Sequence, residues 1–70
     1  MDMKPVDSSN VSEIGHDPET ETLHIRFKDG SLHEYTGVPA EAHEELMASD
    51  SKGKYVHEIL KGRFDHSRLE

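Results

Sequence analysis

Seven consecutive residues alternate without a fault. In Thr22-Leu23-His24-Ile25-Arg26-Phe27-Lys28 the apolar Leu23, Ile25 and Phe27 point one way and His24, Arg26 and Lys28 the other, which is the period of a half-buried β-strand. Asp29-Gly30 follows at once and signals a hairpin, so the next strand runs back antiparallel from Ser31 to about Gly37. Loop length decides which of its residues share the apolar face. A two-residue loop pairs Lys28 with Ser31 and sets Leu32, Glu34 and Thr36 beside Leu23, Ile25 and Phe27. A three-residue loop closed by a left-handed Gly30 pairs Phe27 with Ser31 and brings His33 and Tyr35 there instead. An unpaired carboxylate is costly to bury, so the second register is expected, with Glu34 outside and Leu32 exposed as its consequence.

The other elements arrange themselves around this hairpin. Asn10 to His16 reads as a first strand, but Val11 and Ile14 do not alternate strictly, so it is short, bulged or divided between two faces. Asp17-Pro18-Glu19-Thr20 suits a type I turn. Val38-Pro39 ends the third strand, with Pro39 placed as a first helical residue. Glu41, Glu44 and Glu45 favour the early turns through the helix dipole, and His43, Leu46 and Met47 share one helical face. Asp50 or Ser51 caps a second helix, with Tyr55, Val56, Ile59 and Leu60 as its apolar stripe and Gly62 as its stop. Phe64 folds back on the core. The expected fold is α+β: a three-stranded antiparallel β-meander followed by two short α-helices packed on one face. Residues 1–8 are expected as a flexible arm, 9–64 as the single domain and 65–70 as a disordered tail. Leu69-Glu70 has the composition of the start of a cloning tag and is kept apart from the functional reading.

Seventy residues make one domain, and a chain this short buries only about 60% of its unfolded surface. Apolar residues make up 31% of it, so the core must use nearly every large one. With no Cys, neither disulfides nor thiolate zinc sites can supplement that core. No stretch reads as a signal peptide or approaches the roughly 20 apolar residues of a membrane span, and a cytoplasmic location is expected. The net charge of -7 repels polyanions at long range. That argues against strong nonspecific nucleic-acid binding, while leaving room for a local basic patch.

The residues that carry chemistry give few constellations. Six histidines include no pair at a spacing that puts two metal ligands on one face, and no cofactor or metal is expected. His16, His33 and His43 converge only if they take the place of core aromatics. No serine sits in a nucleophile elbow, and Glu44-Glu45 reads as a solvated helix face, so no catalytic residue is assigned and an enzyme is not expected. The segment Asp50-Ser51-Lys52-Gly53-Lys54-Tyr55 joins two cations to a helix start, where backbone N–H groups can hold an anion. It lacks the first glycine and buried strand of a P-loop. Arg26, Lys28, Lys61 and Arg63 would extend a basic stripe.

Ser8-Ser9-Asn10-Val11, Ile14-Gly15-His16-Asp17, the alternating strand with Asp29-Gly30, the Tyr35 strand, Val38-Pro39 and Ser51-Lys52-Gly53-Lys54-Tyr55 follow one another in an order that resembles the KTSC domain. The resemblance covers roughly residues 6–64. That domain is found at the C-terminus of some lysyl-tRNA synthetases and alone as a small bacterial protein. The resemblance implies a compact domain without an established activity, for which RNA binding has been suggested. The family's Tyr-x-Tyr motif is His33-Glu34-Tyr35 here, so one aromatic is missing. Two functions are carried forward. One is an RNA-binding module using Ser51, Lys52, Lys54, Arg63 and Tyr35. The other is a protein-interaction module, monomeric or a weak homodimer, that uses a free sheet edge or the exposed Leu32.

Overall fold

The computed structural model describes residues 2–70, apart from the side chains of Ile59, Leu60 and Lys61. Its strands are β1 (Lys4–Pro5), β2 (Val11–Asp17), β3 (Thr22–Phe27), β4 (Leu32–Thr36) and β5 (Asp65–Arg68). Between β4 and β5 lie α1 (Ala40–Ala48), α2 (Lys52–Tyr55), a π turn (Val56–Leu60) and α3 (Lys61–Arg63). All five strands form one antiparallel sheet in the order β1-β2-β3-β4-β5.

The central hairpin takes the register expected of a three-residue loop. Leu23 faces Tyr35 and Ile25 faces His33, the Phe27 N–H donates to Ser31 O at 2.9 Å, and the Gly30 N–H donates to Phe27 O at 3.0 Å. Gly30 has φ +94, a conformation that costs a residue with a Cβ about 1–2 kcal/mol. Nothing lies within 4 Å of where that Cβ would stand, so the penalty is purely one of backbone. Gly30→Ala should therefore destabilise by about 1–2 kcal/mol, read as a lower urea midpoint with an unchanged slope.

The irregular apolar spacing of β2 is a bulge. Val11 pairs with Phe27 and Glu13 with Arg26, and the register shifts between them. The extra residue, Ser12, lets Val11 and Ile14 reach the same buried face, where both are essentially inaccessible. They join Leu23, Ile25 and Tyr35 from the sheet, Val38, Ala42 and Leu46 from the α1 region, and Val56 from the π turn. Val6, Phe27, Met47, Tyr55 and Phe64 pack around this cluster. Phe64 thus folds back as expected, and the helices lie on one face of the sheet.

The sheet is wider than a three-stranded meander. Lys4 pairs with Ile14 and Pro5 with Glu13, while Asp65–Arg68 lies along β4. Residues expected in a loose arm and a disordered tail therefore form the two outermost strands. All side chains of β1 and β5 are exposed. Backbone pairing recruits them to the sheet, joined in β5 by the contacts of His66 with His33 and Tyr35, and no apolar alternation announces such strands. The ladder runs past β5, since the Leu69 N–H donates to Leu32 O at 2.7 Å.

The helices differ from expectation at their ends. Pro39 is extended (φ -72, ψ 163) and precedes α1 instead of opening it. The buried residues of α1 are Ala42 and Leu46, with His43 and Met47 half-buried beside them. Ser51 stands at the start of α2 but makes no side-chain cap. Gly62 lies inside α3, so the helical segment ends after it. Ile59 and Leu60 of the expected apolar stripe lie outside the described side chains. No helix among the described residues is long and apolar enough to cross a membrane.

Candidate functional site

Two segments far apart in sequence meet at Asn10. Gly53 of α2 is buried, and a Cβ on it would stand 3.1 Å from Asn10 Nδ2 and 3.4 Å from Asn10 Cβ. The absence of a side chain at position 53 is what lets α2 close on the residue before β2. Asn10 is held from both sides. Its N–H donates to Ser8 Oγ at 3.3 Å, as does that of Val11, and its carbonyl accepts from the Lys28 N–H at 2.8 Å. Ser8-Ser9-Asn10, the β3–β4 loop and the Ser51–Tyr55 segment are thus tied at one point.

A groove of about 400 Å³ opens beside that point. Asn10, Lys28 and His57, all exposed, stand on its rim, and Phe27, Ser31 and His33 form its walls. Phe27 and His33 meet at 84° with centroids 5.0 Å apart, making an aromatic corner. The one carboxylate of the lining, Asp29, is already engaged. Its Oδ1 accepts from the Ser31 N–H at 2.8 Å and from the Ser31 hydroxyl at 2.6 Å, and these bonds hold its carboxyl below the usual carboxylate range.

His33 Nδ1 and His66 Nε2 are 2.6 Å apart, and their rings are inclined by 5°. Stacked faces keep atoms about 3.5 Å apart, so these rings meet edge to edge with one proton between them. One imidazole donates and the other accepts. His66 also lies against Tyr35, with centroids 4.8 Å apart. At the other end of the sheet His16 and His43 stack at 4.8 Å and 11°. His16 Nε2 donates to Val38 O at 2.8 Å, since a carbonyl can only accept. Burial, and then the proximity of His16, push His43 below the ordinary imidazole range. This second pair lines a wider groove of about 710 Å³ together with Lys4, Ile14, Glu44 and Met47. The histidines therefore form two pairs, His16 with His43 and His33 with His66, instead of one cluster of His16, His33 and His43. Among the described residues no group of three or more His, Asp or Glu could hold a metal ion.

The residues singled out from sequence do not form one surface. Tyr35 is 2% exposed and belongs to the core, so its ring is closed to a base, and burial raises its hydroxyl's pKa. Lys52 is half-buried, and its Nζ donates to Ser49 O at 3.1 Å, holding the carbonyl at the end of α1. Ser51 and Lys54 are exposed. Arg63 is exposed and lies 5.7 Å over the Phe64 ring. Of the stripe, Arg26 is spent on Gly30 O at 2.8 Å and Glu70 at 3.0 Å. His24 binds Glu34 at 2.9 Å on the same outer face. Asn10, Phe27, His33 and His57 escaped the sequence reading as a site. The one signal for Asn10 was its place in Ser8-Ser9-Asn10-Val11, while the others need the fold to bring them together.

The model of the KTSC domain matches residues 7–64 of this chain. The chain belongs to the KTSC domain family. A KTSC domain protein from Yersinia pestis, solved by crystallography, shares 35% identity and superposes with a TM-score of 0.91, covering 99% of this chain and 97% of that one. A small protein of Tsukamurella paurometabola is 40% identical over 62 residues, which is 89% of this chain and 92% of that protein. A lysine–tRNA ligase of Nostoc sp. is 39% identical over 67 residues, which is 96% of this chain and 12% of the ligase. The KTSC fold thus exists both as a stand-alone bacterial chain and as a small part of a much longer enzyme, and its function is not established.

Proposed function

We propose that this KTSC domain is a binding module without chemistry of its own, and that its ligand is single-stranded RNA. The observation that carries the reading is the meeting of Ser8-Ser9-Asn10 with Ser51–Tyr55 at Gly53. It sets exposed Lys54 next to the contact and exposed Lys28 on the other side of Asn10. Cations that track a backbone, placed beside ring faces, are the usual means of holding single strands. Occurrence of the same domain within lysine–tRNA ligases supports a nucleic-acid ligand.

The protein-interaction alternative finds less to stand on. The edges it would use are covered by β1 and β5, and the outermost strands carry Lys4, Pro5 and four exposed polar residues, the kinds of residue that blunt an edge. Leu32 is half-buried, and among the described residues Leu69 is the one exposed large apolar side chain.

Titrating single-stranded RNA fragments into isotope-labelled protein should move the amides of Ser51 to Tyr55, Asn10 and Lys28 at low salt and less at moderate salt. Lys54→Ala should weaken binding several-fold and Lys52→Ala much less, because Lys52 is committed to Ser49. An unmoved spectrum at low salt would remove RNA as the ligand.

A further inference from the structure

We infer that the groove beside Asn10 is a pocket for one unstacked nucleobase of the strand. This deepens the RNA reading and rests on it. The volume of about 400 Å³ lies within the range of small-molecule sites, about 300–1,000 Å³, and its walls set a phenyl ring against an imidazole. Phe27 and His33, perpendicular at 84°, offer a planar heterocycle one ring to lie on and a second to abut. The polar groups of the lining are of both kinds. The Asn10 amide donates and accepts, Lys28 donates, and His57 does either according to its tautomer. A base edge presents donors and acceptors side by side, and an Asn amide matches such an edge in a bidentate manner. A free phosphate has no use for the aromatic corner, and an aliphatic ligand has no use for the amide. Bases splayed out of single-stranded RNA are held in this way, by stacking on rings and hydrogen bonding along an edge.

The walls are fixed before any ligand arrives. His33 is held by His66 through Nδ1, Asp29 is tied to Ser31, and the backbone of Asn10 is held by the Lys28 N–H. A prearranged site loses little on ordering when it fills. Lys28, exposed on the rim, is in position to meet the phosphate of the same nucleotide.

The test compares the four nucleoside monophosphates with ribose 5-phosphate by amide shifts, and a short single-stranded RNA against three variants. The nucleotides should move residues 27–31, Asn10 and His57, whereas ribose 5-phosphate should leave most of them still. Phe27→Leu keeps apolar volume under the hairpin and removes the ring. It should weaken the RNA about five- to a hundredfold, the usual loss when a stacking partner is removed. His57→Ala and Asn10→Ala change exposed residues and should weaken it several-fold with the folded spectrum intact. If ribose 5-phosphate matches the nucleotides, or none of the four moves the groove, the base pocket is overturned. RNA that binds at Lys54 while all three variants behave as wild type also overturns the pocket and leaves the RNA reading standing. Nucleotides that fill the groove while no RNA strand binds would keep the pocket and sink the RNA reading.

Discussion

Tyr35→Ala is expected to destabilise the domain by about 3–5 kcal/mol, and Tyr35→Phe to leave both fold and RNA affinity close to wild type. Tyr35 is 2% exposed, in contact with His66 and opposite Leu23, at the centre of the apolar cluster. Truncating a buried aromatic side chain costs about 3–5 kcal/mol. A chain of 70 residues holds on the order of 0.05–0.15 kcal/mol per residue, so the loss ranges from roughly a quarter of its stability to all of it. Thermal and urea unfolding measure both variants. The pair separates a core role from a contact role. If Tyr35→Phe kept full stability and lost RNA, the hydroxyl would be a ligand contact despite its burial.

Acidification should be the second large effect. His43 is held below its ordinary range by burial and by His16, so the folded state takes up its proton later than the unfolded chain. The sign follows from the proton counts. Between the unfolded value of about 6.5 and the lower folded value, the unfolded chain binds more protons, so stability falls as pH falls. Above the unfolded value the contribution is fully present. Urea midpoints taken from pH 7.5 down to pH 5 should decrease, and His43→Gln should flatten the curve by removing the proton that α1 resists. An identical slope in wild type and His43→Gln would show that the stacked pair does not govern acid stability.

The hairpin was legible because each alternative register made a different residue pay for burial: Glu34 in one, nothing charged in the other. Glu34 stands outside against His24, and Gly30 has the positive φ that the three-residue loop requires. The spacing of Val11 and Ile14 announced an irregular strand without stating which of three explanations held, since only the pairing with Phe27 and Ile25 decides it. The outermost strands were illegible for a different reason. Asp65, His66, Ser67 and Arg68 carry no apolar period, and their place comes from the unpaired edge that β4 offers.

The candidate site was less legible than the fold. Lys54 and Ser51 were singled out from the cations at a helix start, and both are exposed. Tyr35 was misassigned to the surface set because its motif resemblance spoke for function while its position opposite Leu23 spoke for the core. Phe27 reads as one more apolar residue of an alternating strand, and nothing local marks it as half-buried beside a groove. His33 and His66 are 33 residues apart, so their shared proton exists only once β5 is laid against β4.

The most direct test of the account is the salt dependence of single-stranded RNA binding, measured by fluorescence anisotropy for the wild type and Lys54→Ala. Each phosphate neutralised on a single strand contributes about 0.7 to the slope of log affinity against log salt. The account predicts measurable binding at low salt, affinity that falls as salt rises, and a slope shallower by about 0.7 in the variant. Absence of binding at low salt, or a slope that Lys54→Ala leaves unchanged, would contradict it.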